Sequence, residues 1–285
     1  VRLLLIGRTG QVATEIRRRA PVGVEVVALG RDAADLSDPE ACAAAVAVAE
    51  VDAVVNAAAW TAVDRAEAEE SAARVVNGDA PAAMARAAAR RRVPFIHIST
   101  DYVFDGTGTQ PFAPDSSVAP QNAYGRSKLL GEEGVRAAGG VHAILRTSWV
   151  FSSHGTNFVK TMLRLGRERE EISVVEDQVG GPTPAADIAE ACLRIAGVLR
   201  DGAGGGTHHL AGAPDTSWAD FASEIMRQAK LPCRVNRVPT SAYPTPARRP
   251  LNSRLDCASL EQAFGLRRPD WTAGLHRVLQ ELGAA

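Results

Sequence analysis

The chain has 285 residues, 46% apolar and 23% charged, an ordinary composition for a protein able to bury a large core. Lys and Arg number 32 against 33 Asp and Glu, so a formal net charge of -1 gives no global field for nucleic acid or an anionic membrane. Cys42, Cys192, Cys233 and Cys257 form no C-x-x-C pair, which argues against zinc or disulfides and for a reduced, cytoplasmic chain. No apolar run approaches the roughly 18 residues of a membrane span, and the opening run Leu3–Ile6 is too short for a signal core.

In chain order, the first half predicts a strand at Leu3–Ile6, a helix at Gln11–Arg19 and a strand at Val24–Leu29. A helix at Pro39–Ala49 and a strand at Ala53–Asn56 follow. Glu67–Arg91 reads as helical with a dip near Gly78–Pro81, then come a strand at Val93–Ile98, a helix at Lys128–Ala138 and a strand at Ala143–Arg146. This alternation predicts an α/β fold with a parallel sheet covered by helices on both faces. The second half is punctuated by Gly180-Gly181-Pro182, Gly202–Gly206 and Pro244–Pro250. It predicts helices at Asn157–Arg169, Ala186–Leu199, Ala219–Ala229 and Ala273–Leu282, and a strand at His208–Leu210. A soft boundary near 150 gives a cofactor domain, 1–150, and a smaller mixed substrate lobe, 151–285. Segments such as 186–212 could pack back on the first domain.

Gly7-Arg8-Thr9-Gly10-Gln11-Val12-Ala13 lies between the first strand and first helix, spaced G-x-x-G-x-x-A. Glycines there allow a tight turn and close approach to a pyrophosphate, and the helix N-terminus offers free N–H groups. This points to a Rossmann-type, doubly wound sheet binding a dinucleotide. The second strand ends in Gly30-Arg31-Asp32, where an NAD site usually places an acid. The Arg31 guanidinium suits a 2'-phosphate, so NADPH is expected, with Asp32 leaving room for NADH. The small residues of Asn56-Ala57-Ala58-Ala59-Trp60-Thr61 leave space for a ribose and nicotinamide, or simply pack in an Ala-rich chain.

Ser99-Thr100-Asp101-Tyr102 closes the fourth strand, and Tyr124 and Lys128 are spaced i, i+4 on one helix face. A free phenol titrates near pH 10, roughly three units above neutrality, and a nearby ammonium and hydroxyl can adjust it for proton transfer. Ser99 and Thr100 point to opposite faces, so only one can serve. The six histidines, His97, His142, His154, His208, His209 and His276, show no metal-ligand spacing and read as structural. Trp60, Trp218 and Trp271 read as core or interface aromatics.

With the stretches GRTGQV, VVNAAAWTAVDRAE, HISTDYVFDGTG, YGRSKLLGE, LRTSWVF, NFVKTMLRL, DQVGGPT and AYPTPARRPLNSRL, the chain resembles the extended short-chain dehydrogenase/reductases nearly end to end. Within them it is most similar to the nucleotide-sugar 4-ketoreductases. The resemblance implies reduction of the 4-keto group of dTDP-4-dehydro-L-rhamnose to dTDP-L-rhamnose. Carried over, Tyr124 is the general acid, Lys128 holds the nicotinamide ribose and lowers the phenol, and Thr100 tunes the phenol and orients the carbonyl. Gly7, Gly10, Gln11 and Val12 would cradle the pyrophosphate. Asp35 and Leu36 would sit by the adenine, and Ala58, Ala59 and Thr61 by the middle of the cofactor. Thr100, Asp101 and Trp149 would meet the sugar.

For the diphosphate, Asn157, Lys160 and Arg248 are expected, with Arg249 next to it, while Gln178 and Thr183 flank the Gly180-Gly181-Pro182 turn expected to line the sugar. The sequence departs from the family pattern at Ala13, where Gly is usual, and at Gly30-Arg31, where an acid is common. Some relatives bridge helical glutamates with Mg2+; Glu15 and Glu281 match part of that set, but Ala186 stands where an acid is expected, so the metal requirement is open. A monomer or homodimer is expected. The same residues also suit a reductase or epimerase of another nucleotide deoxysugar, or a silent binding subunit on this fold.

Overall fold

The computed structural model describes residues 1–202 and 204–285; Ala203, inside the Gly202–Gly206 turn, lies outside them. The chain begins with β1 (Arg2–Ile6), α1 (Gln11–Arg19), β2 (Glu25–Leu29), α2 (Pro39–Val48) and β3 (Ala53–Asn56). Next come α3 (Val63–Ala68), α4 (Glu70–Arg74), a π turn (Val75–Asp79), α5 (Ala80–Arg90), β4 (Phe95–Thr100), α6 (Ala123–Ala137) and β5 (His142–Thr147). The expected single helix of 67–91 is therefore broken. The π turn spans the predicted dip, and it brings Asn77 against Gly131 of α6, where any Cβ would strike the Asn77 carbonyl. The fourth strand runs two residues further than expected and includes Ser99 and Thr100. The sixth helix starts at Ala123, so Tyr124 and Lys128 share it.

The chain continues with β6 (Val150–Phe151), α7 (Phe158–Glu168), β7 (Glu171–Val175), β8 (Val179–Gly180), β9 (Thr183–Pro184), α8 (Ala185–Arg200) and β10 (Gly206–Leu210). It closes with β11 (Thr216–Ser217), α9 (Trp218–Gln228), β12 (Arg234–Val238), β13 (Asn252–Ser253), α10 (Ala258–Phe264) and α11 (Trp271–Glu281).

The main sheet has the order β10-β5-β4-β3-β1-β2, with every pairing parallel. Because side chains alternate along a strand, Leu3 and Leu5 face α1, α8 and α10 while Leu4 and Ile6 face α2 and α5. Both faces are thus buried, as a parallel sheet requires. The order reverses between β1 and β3, and a crevice opens there at the carboxyl ends of the strands. β10 and α8 come from beyond residue 150 yet complete this first layer. The remaining lobe packs α7, α9 and α11 around Phe151, Phe221, Ile225, Trp271 and Leu275. Its small sheets include the parallel pair β7–β12.

Candidate active site

β1 delivers Gly7 into a left-handed backbone position, φ 108°, which disfavours any Cβ. A Cβ there would also sit 3.3 Å from the Ala58 backbone nitrogen, so this turn and the one after β3 lie against each other. Gly10 caps α1 with no side-chain partner, leaving first-turn N–H groups free to face an anion. Ala13 is fully buried, small enough for α1 to lie close on the sheet.

These turns line a cleft of about 920 Å³. Every residue expected at the cofactor lines it, as do Thr100, Asp101, Trp149 and Asn157. Lys160, Gln178 and Arg248 are not among the lining residues. At the second strand Arg8 lies across Gly30, where a Cβ would come 3.0 Å from its guanidinium, and pairs with Asp32 at 3.1 Å. Arg8 and Arg31 thus both line the cleft beside Gly30. Ser37 donates its backbone N–H to Asp35 at 2.9 Å and holds that carboxyl below its usual value. The cradle, the open N-terminus and the two guanidiniums fit a nicotinamide dinucleotide.

At the other end, Thr100 closes β4 and α6 supplies Tyr124 and Lys128. Asn122 fixes the start of α6 by accepting from Gly125 N at 2.8 Å. Gly125 permits the approach, since a Cβ there would strike the Tyr102 carbonyl. The two candidate hydroxyls diverge. Ser99 Oγ donates to the buried Glu132 at 2.6 Å, while Thr100 Oγ1 donates to Asp101 Oδ1 at 3.0 Å and lies on the side of the Tyr124 phenol. Burial pushes that phenol up to about 12, against a lowering influence of Thr100 and with a further rise from Asp101. Lys128 does not act on it directly. Its Nζ donates to the Ile98 carbonyl at 2.7 Å, and burial pulls the ammonium down to about 8 against the raising effect of Glu132. Burial also pushes Asp101 up to about 6, although the Thr100 hydroxyl that donates to it, and Ser253 nearby, lower it. Asp101 Oδ2 and the neighbouring Thr147 Oγ1 are buried without a partner.

Trp149 takes φ 51° and stacks on Trp218, ring centroids 3.7 Å apart and 13° from parallel. A non-glycine residue held in this region at a cleft wall is strain of the kind that gathers at binding sites. Asn157 is fully engaged. Its Oδ1 caps α7 and its Nδ2 donates to Gln11 Oε1 at 2.8 Å and Ser152 O at 2.7 Å. Lys160 Nζ donates to Ser153 O, and Gln178 Nε2 to Thr240 Oγ1. Thr183 is buried, with its hydroxyl on Gly181 O. Arg248 is exposed and its guanidinium reaches, among the described residues, Gln121 alone, whereas Arg249 turns inward onto Asp64 at 2.7 Å. Sequence reading overlooked Arg8, Thr147 and Tyr102 on the cleft wall. Arg8 was signalled by its place inside the glycine turn; the other two depend on how strand ends meet.

Glu15, His154 and Glu281 offer three ligand atoms within 4.8 Å of one another. Arg18 answers them instead: it donates to Glu15 at 2.9 Å and Glu281 at 3.1 Å and lies 2.9 Å from His154 Nε2. A guanidinium already sits on these acceptors, so the cluster does not fit a divalent ion, and nothing below is routed through a metal. Among the described residues no helix is long and apolar enough to cross a membrane.

The family model for the RmlD substrate binding domain matches residues 1–284. The chain is similar to a dTDP-4-dehydrorhamnose reductase of Burkholderia thailandensis, at 45% identity over 99% of both chains. An Escherichia coli K12 protein of the same description is 44% identical, over 98% of this chain and 97% of its own. Among solved structures, a dTDP-4-dehydrorhamnose reductase of Clostridium acetobutylicum superposes with a TM-score of 0.93 at 35% identity, covering 99% of this chain and 100% of that one. The Bacillus anthracis enzyme in complex with NADP also gives 0.93, at 32% identity, covering 98% and 99%.

Proposed function

The chain belongs to the RmlD substrate binding domain family, and from that membership we propose that it reduces dTDP-4-dehydro-L-rhamnose to dTDP-L-rhamnose, with NADPH preferred over NADH. The observation that carries the proposal is convergence. Thr100, Tyr124 and Lys128 stand in the same cleft as the Gly7–Val12 turn.

When bound, the cofactor supplies hydride to the ketone carbon. Gly7, Gly10, Gln11 and Val12 hold its pyrophosphate through the turn and the α1 N-terminus. Arg31, with Arg8, holds the 2'-phosphate. Asp35 and Leu36 bound the adenine side, Ala58, Ala59 and Thr61 the centre, and Lys128 the nicotinamide ribose. Tyr124 keeps its proton at neutral pH because burial raises its phenol, and it donates that proton to the ketone oxygen as charge develops there. Thr100, beside the phenol, offers its hydroxyl to that oxygen and fixes where it rests. Asp101 hydrogen-bonds the sugar and Trp149 covers it. Among the described residues the Arg248 side chain has one partner, Gln121, at 3.3 Å, which leaves it available to a diphosphate, and Lys160 is the second cation assigned to that group. Asn157 and Gln178 then shape that lobe through bonds already made.

The test is oxidation of NADPH with dTDP-4-dehydro-L-rhamnose, with dTDP-L-rhamnose identified as product. Tyr124→Phe should lose about 10²–10⁴-fold in turnover while still binding NADPH. Cofactor binding without any reduction by the wild type would favour the silent-subunit reading. Near-normal turnover in Tyr124→Phe would remove Tyr124 as the proton donor.

A further inference from the structure

Beneath Lys128 lies a buried pair that the mechanism above does not use. Asn56 ends β3 and His97 lies opposite it on β4, in register. Both are within 1% of full burial. Asn56 Oδ1 accepts the Ala58 backbone N–H at 3.2 Å, which fixes which way its amide faces. Its Nδ2 therefore points at His97 Nδ1, 3.2 Å away. An N–H aimed at a ring nitrogen requires a lone pair there, so the ring hydrogen belongs on Nε2. Nε2 in turn faces Lys128 Nζ at 3.4 Å.

An Nε2–H facing an ammonium is repelled; facing an amine lone pair, it donates a hydrogen bond. The ammonium form has one acceptor among the described residues, the Ile98 carbonyl. The amine form keeps that bond and gains one from His97. The other groups around Lys128 do not undo this. Tyr124 is one turn earlier on α6 and is held protonated by burial. Glu132, one turn later, favours the ammonium, but its oxygens already accept from Ser99, Arg146 and Arg136 at 2.6–2.8 Å. Asp101, across the cleft wall, is bonded to Thr100. His97 itself is kept neutral by burial and by Lys128.

We propose that Asn56 fixes His97 as the neutral Nε2–H tautomer, and that His97 thereby holds Lys128 ready to give up a proton. His97 is a positioning residue in this scheme, and the kinetic part rests on the reductase reading. After Tyr124 gives its proton to the ketone oxygen, a phenolate remains. A proton that leaves Lys128 and reaches the phenolate through water in the cleft restores the phenol; the amine left behind accepts from His97 until solvent returns a proton to it.

The experiment has two arms. Nitrogen-15 correlation spectra of the ring should show His97 neutral with hydrogen on Nε2; hydrogen on Nδ1, or an imidazolium, overturns the inference. In Asn56→Asp, a carboxylate against Nδ1 draws the hydrogen to that nitrogen and turns Nε2 into an acceptor. Lys128 then holds its proton more firmly, and the alkaline limb of kcat/KM should move up by about one pH unit. A folded, active Asn56→Asp enzyme whose limb does not move overturns the inference, since a merely structural role would leave the profile in place. If the wild type reduces no sugar at all, the reductase reading fails, and the spectra still decide the tautomer.

Discussion

The Asn157 side chain donates to Gln11 Oε1 at 2.8 Å, joining residues 146 positions apart. Gln11 opens the helix proposed to meet the pyrophosphate, and Asn157 caps the helix that opens the second lobe. Ser152 Oγ donates to the same Gln11 oxygen at 2.9 Å. The two binding regions are therefore clasped at one side chain. Asn157→Ala removes both a cap and the clasp. It should cost about 1–2 kcal/mol in denaturant unfolding and raise KM for sugar and cofactor together. A rise confined to the sugar would show that Asn157 contacts the substrate directly.

Asp101 makes stability depend on pH. Its unfolded value is near 3.8 and burial raises it to about 6, so the folded state favours the protonated form. The resulting stability is fully present below about pH 4 and is lost as pH rises through 6, about 3 kcal/mol in all. Asp101→Asn removes this term. The stability of wild type relative to that variant should fall between pH 4 and 7 in thermal unfolding. A constant difference across that range would mean that Asp101 is not buried as found.

Arg31 is exposed on the cleft wall and Arg8 is paired with Asp32. Losing one charge-assisted contact with a 2'-phosphate is worth roughly tenfold in affinity. Arg31→Ala should raise KM for NADPH by about that factor and leave NADH unchanged. Equal effects on both cofactors would remove Arg31 from phosphate recognition.

Glu132 and Arg146 are buried together behind the catalytic strand, with side chains 0% and 2% exposed. Glu132→Gln leaves a guanidinium buried with a weaker partner. Breaking a pair of this kind costs about 3–5 kcal/mol, measured as a lower unfolding midpoint. The substitution should also move the alkaline limb of activity to lower pH, because Glu132 raises the Lys128 ammonium.

The cofactor half was legible because its signals are local. A glycine turn between a strand and a helix, and Tyr124 and Lys128 four residues apart, declare themselves within a few positions. Where hydroxyl and lysine point is not local. Strand alternation separated Ser99 from Thr100, but only Glu132 and Tyr124, brought in by α6, settled which is which. The lowering of Tyr124 by Lys128 was expected from spacing, yet Lys128 turns to a backbone carbonyl and burial dominates the phenol. The second lobe was harder still. Asn157, Lys160 and Gln178 look like free polar groups in sequence, but each finds a partner supplied by another segment.

β10 is added to the open side of β5 only after residue 205 has been made. Until then Ala143, Ile144 and Leu145 end the layer with their backbone N–H and C=O groups unpaired along one side. Such an edge is a template for pairing with another chain. A fragment cut near residue 150 would keep the glycine turn, Tyr124 and Lys128, yet would tend to aggregate rather than act as a smaller dehydrogenase. During synthesis, the catalytic half waits unfinished while roughly sixty more residues leave the ribosome, several seconds at ordinary elongation rates.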